Sequence, residues 1–322
     1  MTLRTLPAPH IDAPGLYYDV PDELYHADPV TGLSLSSSVA KLLVSKSPRH
    51  AWYAHPRLNK SLLMEPEDST PAKDFGTAVH TIALGQGRPI KEVPFDDFRK
   101  GAAQEMRDAA RAAGQVPLLS RRLQAARTVA EALRDQLATT EFGALLDKGR
   151  AEVTGVWNDV EDVRCRMRVD WLPEAALAGG HITALDLKTT GESAAPEEWH
   201  RHAFDMGYDI QDELYRRGLK ELIPGTRSVR FVFIAIEQDA PHGLTIHEFG
   251  GHARAEAEQL LDMAMALWSA CLDRDKWPGY SAEPSHIDPP KWRSERGMFR
   301  KMAMQTLVER FFKPLARGPG PA

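Results

Sequence analysis

The segment "RCRMRVDWLPEAALAGGHITALDLKTT", residues 164–190, decides which fold the sequence predicts. Residues 163–171 and 182–190 both have the alternating, β-branched pattern of strands, and a turn rich in Pro, Ala and Gly at 173–181 separates them. The separation has the length of a hairpin connection, so we expect the two strands to pair. The chain therefore contains at least one antiparallel strand pair at its centre.

Three charged side chains in these strands form a candidate site. Asp186 and Lys188 are two residues apart and point to the same side of their strand, and Asp170 joins them if the strands pair. Neighbouring carboxylates repel, and such an arrangement usually persists because a divalent cation lies between them. A lysine beside the cation can hold or deprotonate water, which indicates metal-assisted phosphodiester hydrolysis. The alternative is a solvated strand face, which is common for charged residues.

Composition limits the classes of function. The 322 residues could form one large domain or two small ones, and the 43% hydrophobic content is enough for a sizeable core. A formal charge of −5 excludes nucleic-acid binding by bulk positive charge, so local basic surfaces would be needed. One candidate surface is residues 291–322, with eight Lys or Arg and two Glu. An ordinary amphipathic terminal helix with a basic face is the alternative there.

Cysteine usage and missing motifs exclude other chemistry. Cys165 and Cys271 both look like small buried hydrophobic residues, and their number excludes a disulfide scaffold or a four-thiolate iron–sulfur cluster. No phosphate-binding loop is present, so we expect no use of ATP. The sequence also lacks an apolar run of membrane-spanning length and a signal-peptide core, which predicts a cytoplasmic protein with no membrane association.

The order of predicted elements indicates an α/β (α+β) fold with a central mixed sheet flanked by helices. We divide the chain into an extended N-terminal arm (1–30), a main domain (31–275) and a basic extension rich in Pro and Trp (276–322). Residues 88–118 are predicted to be loop plus a charged helix. The remaining predicted elements are helices starting near 35, 48 and 75, a helix at 120–137, strands at 152–159 and 163–172, a helix at 196–219, strands at 228–238 and 243–249, and a helix at 251–273.

The strand before the turn alternates strictly between apolar and charged residues. Its apolar side is expected to face the core, whereas Arg164, Arg166, Arg168 and Asp170 share the opposite side. A guanidinium group on that side suits a phosphate, so Arg166 and Arg168 are candidate DNA contacts. A solvated basic strand explains the same pattern equally well.

Further candidates lie outside the two strands. In the helix after the second strand, Gln211 and Tyr215 are four residues apart and share a face, with Tyr208 one turn earlier. Their amide and hydroxyl groups could bind phosphate oxygens, or the tyrosines could simply pack on the sheet. His80, in a predicted helix, and Glu152, at the start of a strand, are ambiguous single residues from the pattern alone.

Five short motifs in order resemble a known family. The chain is similar to the PD-(D/E)xK nucleases of the RecB-like branch, which have a restriction-endonuclease-like core. It most resembles the C-terminal nuclease domain of RecE-type exonuclease (exonuclease VIII) of phages and prophages, over roughly residues 17–293. The motifs are His80 in "GTAVH", Glu152, Asp170 in "RMRVDW", Asp186-Leu187-Lys188 in "LDLKTT", and Gln211 with Tyr215 in "YDIQDELY".

The resemblance implies a magnesium site, in which Mn²⁺ would substitute. Asp170 and Asp186 would be ligands, with the Leu187 carbonyl as a neighbouring ligand. His80 would be a further ligand or lie near the metal, and Glu152 would be an outer acid that aligns water or a second ion. Val169 stands where the first motif has proline, and many RecB-like members vary at that position.

The same resemblance implies roles for the remaining residues and for the whole protein. Lys188 would orient and activate the attacking water, while Gln211 and Tyr215 would position the strand near the scissile phosphate. The implied activity is a magnesium-dependent exodeoxyribonuclease that degrades linear double-stranded DNA 5′ to 3′. The 3′ tail would serve a RecT-like single-strand annealing protein in recombination, and the enzyme would form a homo-oligomeric ring.

Two other functions remain open from the sequence. The same metal site could serve a single-strand or structure-selective DNA nuclease, which substrate preference would distinguish. The chain could instead be a non-catalytic DNA-binding recombination scaffold on a decayed nuclease fold. Intact Asp170, Asp186 and Lys188 argue against decay.

Overall fold

A computed structural model describes residues 4–5, 10–63, 70–281 and 283–312 of the protein. The chain divides into two compact units, residues 1–279 and residues 280–322, which are described separately. Within the described ranges, no helix has both the length and the apolar character needed to cross a membrane.

The first unit contains both strands and helices. Its strands are β1 Arg4–Thr5, β2 Gly15–Tyr18, β3 Ile90–Val93, β4 Val116–Leu119, β5 Gly149–Asn158, β6 Arg164–Pro173, β7 Gly180–Thr190, β8 Thr226–Glu237 and β9 Leu244–His247. Its helices are α1 Asp22–His26, α2 Ser37–Ser45, α3 Pro48–Ala54, α4 Pro71–Leu84, α5 Gly101–Ala112, α6 Ser120–Leu137, α7 Pro196–Met206, α8 Tyr208–Leu222 and α9 Gly251–Arg274.

A mixed sheet organises this unit. Seven strands lie in the order β1-β2-β5-β6-β7-β8-β9. Strand β6 is antiparallel to both β5 and β7, β7 is parallel to β8, and β9 returns antiparallel to β8. The predicted hairpin of β5 and β6 and the predicted pairing of β6 with β7 are both confirmed.

Helices cover both faces of the sheet, as the sequence predicted. One core cluster joins α2, α8 and α9 to the sheet and includes Leu214 and Phe231. The other joins α4 and α6 to the opposite face and includes Leu133 and Ile234. Because Phe231 and Ile234 both belong to β8, this strand is buried on both faces, which its continuous apolar run predicted. The predicted fold class is confirmed.

The sequence missed a second, two-stranded sheet. Residues 88–118 were expected to be loop and helix, but β3 and β4 pair there in parallel, with α5 between them. Each strand has only four residues, and β3 has one fully buried side chain, Val93. So short a strand leaves too little periodic pattern to be recognised.

The helix predicted at 196–219 is two helices. Gly207 ends α7 and precedes α8 with φ of 68°, a left-handed conformation that glycine adopts without a steric penalty. A side chain at this position would also collide with Lys41, whose Cδ atom lies 2.8 Å from the place of an added Cβ. The break separates two runs that each have helical periodicity, so the pattern predicted one long helix.

The described residues 10–30 include a strand and a short helix, although an extended arm was expected for residues 1–30. The strand β2 pairs antiparallel with β5, with Leu16 opposite Gly155. Tyr17 and Val20 are buried in a small cluster with Tyr25 of α1. The apolar residues of this segment are spaced irregularly, so the sequence pattern does not indicate these elements.

The second unit contains one described helix, α10 Lys291–Phe312. It accounts for most of the basic segment, in agreement with the terminal-helix alternative. Residues 313–322, which carry the last part of that segment, lie outside the described residues.

Candidate active site

Glu152 and Asp170 lie opposite each other on neighbouring strands. In the β5–β6 register Val153 pairs with Val169, so the preceding residue of β5 faces the following residue of β6. Glu152 has φ of 53°, in the left-handed region that side chains other than glycine rarely adopt. Backbone strain of this kind is maintained by the surrounding structure and clusters at functional sites.

The sheet opens beside Asp170. Strands β6 and β7 pair at Trp171 and Leu185, and continuing this register brings Asp170 alongside Asp186. The Leu187 backbone N–H of β7 donates a hydrogen bond of 2.9 Å to the side-chain Oδ2 of Asp170 on β6. Three carboxylates, from Glu152, Asp170 and Asp186, therefore line up across three strands.

Asp186 is completely buried, and its two oxygens have different partners. Oδ2 accepts a hydrogen bond of 2.7 Å from the Gln211 side-chain amide of α8. Oδ1 contacts the Lys188 ammonium group in an ion pair but has no partner in hydrogen-bond geometry. Gln211, expected to contact phosphate, thus holds a carboxylate in place.

Burial disfavours the ionised form of all three carboxylates, and the charge of Asp170 adds repulsion at Glu152 and Asp186. Burial, followed by the charge of Asp170, raises the pKa of Glu152 to about 7 and that of Asp186 to about 6. Burial also raises the pKa of Asp170 above its ordinary value. The positively charged groups around the cluster do not fully compensate its negative charge.

Lys188 provides the positive charge nearest to the carboxylates. Burial alone would lower the pKa of its ammonium group, but Asp186 and then Asp170 raise it above the ordinary lysine value. Its Nζ atom also lies 4.9 Å from the centre of the Tyr208 ring. The side chain is only 19% exposed, so its direction is determined by this contact and by Asp186.

His80 of α4 approaches the same cluster from the other helical layer. Its Nδ1 atom lies 3.7 Å from Asp170 Oδ2. Burial, followed by the positive charge of Lys188, lowers the pKa of His80 to about 4, so the imidazole is neutral near neutral pH. A neutral imidazole has a free nitrogen lone pair, which a metal ligand requires.

The residues present fit a divalent cation that keeps several waters. Among the described residues, no three His, Cys, Asp or Glu side chains are arranged so that they could hold a metal ion by themselves. Mg²⁺, however, usually binds through one or two carboxylates plus water and substrate oxygens. Asp170 and Asp186 supply two carboxylates, and Asp186 Oδ1, which is in contact with the Lys188 ammonium group, is a buried acceptor. Oxygen donors of this kind suit a hard cation.

Arg166 does not face a ligand, contrary to the expectation of a basic, accessible strand. It is 4% exposed, and its Nη1 atom lies 3.0 Å from Asp28 Oδ1 and 2.7 Å from Ser34 Oγ. The N-terminal segment covers this side of β6, so the guanidinium group pairs with a buried carboxylate. Arg166 is therefore a structural residue.

Arg168 and Tyr215 are also buried. Arg168 Nη1 lies 3.0 Å from Asp22 Oδ1, and its guanidinium carbon lies 4.1 Å from the centre of the Tyr25 ring. The Tyr215 hydroxyl accepts a long hydrogen bond, 3.4 Å, from the Arg168 backbone N–H. Both side chains are largely buried between the sheet and its covering segments, although Arg168 also lies 3.7 Å from Glu152 and lines a cavity beside it. Tyr208, by contrast, is half-buried and has its ring 4.9 Å from the Lys188 ammonium group.

The sequence reasoning missed the partners of the two arginines. Asp22 and Asp28 lie in the segment expected to be an extended arm, and Asp28 is 3% exposed. A signal was available, since arginines on alternate positions of a strand need either solvent or carboxylates. The N-terminal segment contains several aspartates within its first thirty residues.

This fold and this carboxylate–lysine cluster define a PD-(D/E)xK-type protein, a class whose nucleases typically use divalent metals. Residues 36–288 match the family described as a PDDEXK-like domain of unknown function (DUF3799), and the chain belongs to that family. The match confirms the predicted superfamily and supports the prediction that the protein is a nuclease.

A solved structure has the same fold. It is the crystal structure of a protein from Eubacterium rectale that is provisionally described as an exonuclease. The TM-score is 0.50 at 12% sequence identity, and the match covers 84% of this chain and 92% of that chain. None of the curated proteins matches the chain.

Proposed function

We propose that the protein is a magnesium-dependent exodeoxyribonuclease that hydrolyses linear double-stranded DNA. The observation that carries the proposal is the cluster of Glu152, Asp170 and Asp186 at the opening between β6 and β7, with Lys188 against it. Buried carboxylates with raised pKa values and one lysine suit a site that binds a cation and a phosphodiester together.

The proposed metal ligands are Asp170 and Asp186, with the Leu187 carbonyl and with His80 at or next to the ion. Mg²⁺ would be the natural ion, and Mn²⁺ would substitute because it accepts the same oxygen ligands. When bound, the cation supplies charge neutralisation and Lewis-acid polarisation of the phosphate. Glu152 would lie outside this set and align a water molecule through its carboxylate.

Other side chains orient the reaction. Gln211 holds Asp186 Oδ2, so the carboxylate keeps one orientation while Oδ1 stays available. Lys188 Nζ lies beside Oδ1, where it can donate a hydrogen bond to the attacking water and stabilise negative charge that develops on the phosphate. The Tyr208 ring limits the directions open to the ammonium group.

The proposal of exonuclease action on duplex ends rests on the motif resemblance to RecE-type enzymes. The fold similarity to the Eubacterium rectale protein supports it. On the same basis we propose 5′ to 3′ polarity, 3′ tails for recombination with an annealing protein, and a homo-oligomeric ring. Analytical ultracentrifugation tests the ring, and strand-specific end labels test the polarity.

The decisive test compares a linear duplex with a covalently closed circle of the same sequence. We expect Mg²⁺-dependent release of nucleotides from the linear DNA only, with no release in a chelator. Equal degradation of both substrates would exclude dependence on ends. Faster degradation of a single strand than of a duplex would favour the single-strand nuclease.

A further inference from the structure

An aromatic groove lies beside the proposed catalytic lysine. It encloses a cavity of about 170 Å³ between α7, β9 and the beginning of α9. Its walls include His200, Phe204, Phe233, His247 and Phe249. None of these residues contributes to the carboxylate cluster.

A continuous series of rings connects this groove to Lys188. The Lys188 ammonium lies 4.9 Å from the Tyr208 ring centre, and Tyr208 is stacked on Phe233 with 5.5 Å between centres. Trp199 lies 5.7 Å from Tyr208 and is stacked at 5.6 Å with His247, which lines the groove. A strand whose phosphate is at Lys188 could therefore place a neighbouring nucleotide in the groove.

Two rings at the groove are open to a ligand. Phe204 is 50% exposed, and Phe249 is half-buried. Their ring centres are 5.5 Å apart in an edge-to-face arrangement, so the pair is held in a defined geometry. A large exposed aromatic side chain in a concave site is a feature of binding surfaces.

The electrostatics of the groove suit an anionic chain with neutral bases. Burial and the neighbouring His200 lower the pKa of His247 to about 4, so its ring is neutral. Gly250 and Ala253, at the start of the 24-residue helix α9, also line the groove, and the first turn of α9 has no acidic residue. Free backbone N–H groups at such a helix start attract phosphate. The lining residue Glu248 is paired with Arg230 at 2.7 Å, although Arg230 also pairs with Glu141 at 2.9 Å, so its positive charge offsets only part of the negative charge there.

We propose that this groove binds an unpaired nucleobase of the DNA strand that is being cleaved. The base packs among the rings of Phe204, His247 and Phe249 and stacks on one of them, and the adjoining phosphate lies near the start of α9. This assignment rests on the proposed nuclease function. It adds that the DNA strand is separated from its complement next to the phosphate that is cleaved. The cavity is the size of one base, too small for a helix of a partner protein.

Binding of a short fluorescein-labelled thymidine oligonucleotide, followed by anisotropy in a chelator, tests the groove without any cleavage. The reference ligand is an abasic oligonucleotide of the same length, which keeps the phosphates and lacks the bases. We expect wild type to prefer the thymidine oligonucleotide by about 5- to 100-fold, the range for stacking of a base on aromatic rings. Phe204→Ala should abolish this preference. Tyr53→Ala, which removes a ring on α3 that is outside the groove and is 62% exposed, should retain it.

Equal binding of the thymidine and abasic ligands by wild type, or an unchanged preference in Phe204→Ala, would overturn the assignment. A shift of Phe204→Ala to a smaller oligomer with unchanged oligonucleotide binding would instead assign the groove to a second copy of the chain. If wild type shows the base preference but releases no nucleotides from linear duplex with Mg²⁺, the groove stands and the proposed nuclease function fails.

Discussion

Two buried aspartates, Asp28 and Asp186, have the same degree of burial but opposite electrostatic environments. Asp28 is 3% exposed and Asp186 is fully buried. Burial raises the pKa of Asp28, but His55 and Arg166 lower it more, so the net pKa falls below the ordinary value. Burial and Asp170 raise the pKa of Asp186 to about 6.

The comparison separates a structural carboxylate from a candidate metal ligand. Asp28 lies between Arg166 at 3.0 Å, Arg57 at 3.4 Å and His55 at 3.2 Å. Asp186 shares one lysine with other carboxylates. Balanced charge explains why Asp28 stabilises the fold, whereas the excess negative charge around Asp186 leaves room for a cation. Substitutions of the two residues by asparagine test this distinction.

The largest expected effect is on catalysis. Asp186→Asn and Lys188→Ala should each reduce nucleotide release by at least about a thousandfold, a loss of about 4 kcal/mol in transition-state stabilisation. Asp28→Asn should retain activity per folded molecule. Asp273→Asn and Lys220→Ala make the same changes at exposed positions of α9 and α8 and should behave as wild type. Full activity of Asp186→Asn would exclude Asp186 from the site.

The next effect is on stability. Asp28→Asn leaves the buried guanidinium of Arg166 without its carboxylate partner, so the free energy of unfolding should fall by about 3 kcal/mol. Urea denaturation in a chelator measures this change, with Asp273→Asn as the matched control. A loss below about 1 kcal/mol would contradict the conclusion that the Asp28 carboxylate, together with its partners Arg57, His55 and Ser34, stabilises the fold.

The sequence predicted the parts of the site that depend on strand periodicity and motif order. Alternation placed Asp186 and Lys188 together, and pairing brought Asp170 alongside them. The sequence alone could not show which residues cover the other end of β6, because Asp28 is more than a hundred residues away from Arg166 along the chain. The sequence does not predict the aromatic groove, for a similar reason. Trp199 and Phe204 occur in "WHRHAFDMGY", residues 199–208, but their partners His247 and Phe249 come from a distant strand end.

The third effect is a change in the free energy of unfolding that has opposite signs for the two aspartates. It falls in Asp28→Asn and should rise in Asp186→Asn. In a chelator, Asp186→Asn removes repulsion within the carboxylate cluster and should stabilise the protein by on the order of 2 kcal/mol. Mg²⁺ should then stabilise wild type by about 2.7 kcal/mol at a hundred times its Kd, with little effect on the variant. Thermal unfolding with and without Mg²⁺ measures both changes. Equal Mg²⁺ stabilisation of the two proteins would contradict a metal site at Asp186.

The smallest effect is the pH dependence that Asp28 contributes. Because its folded pKa lies below the ordinary value of 3.8, the stabilisation it provides is complete above about pH 4 and is lost as the pH falls through the lower, folded pKa. The stability difference between wild type and Asp28→Asn should therefore be constant from neutral pH to about 4 and then shrink by up to about 1.4 kcal/mol for each further pH unit. Urea denaturation at a series of pH values measures it. A difference that widens with acidification would mean that Asp28 binds a proton more readily in the folded state, which would remove the contrast with Asp186.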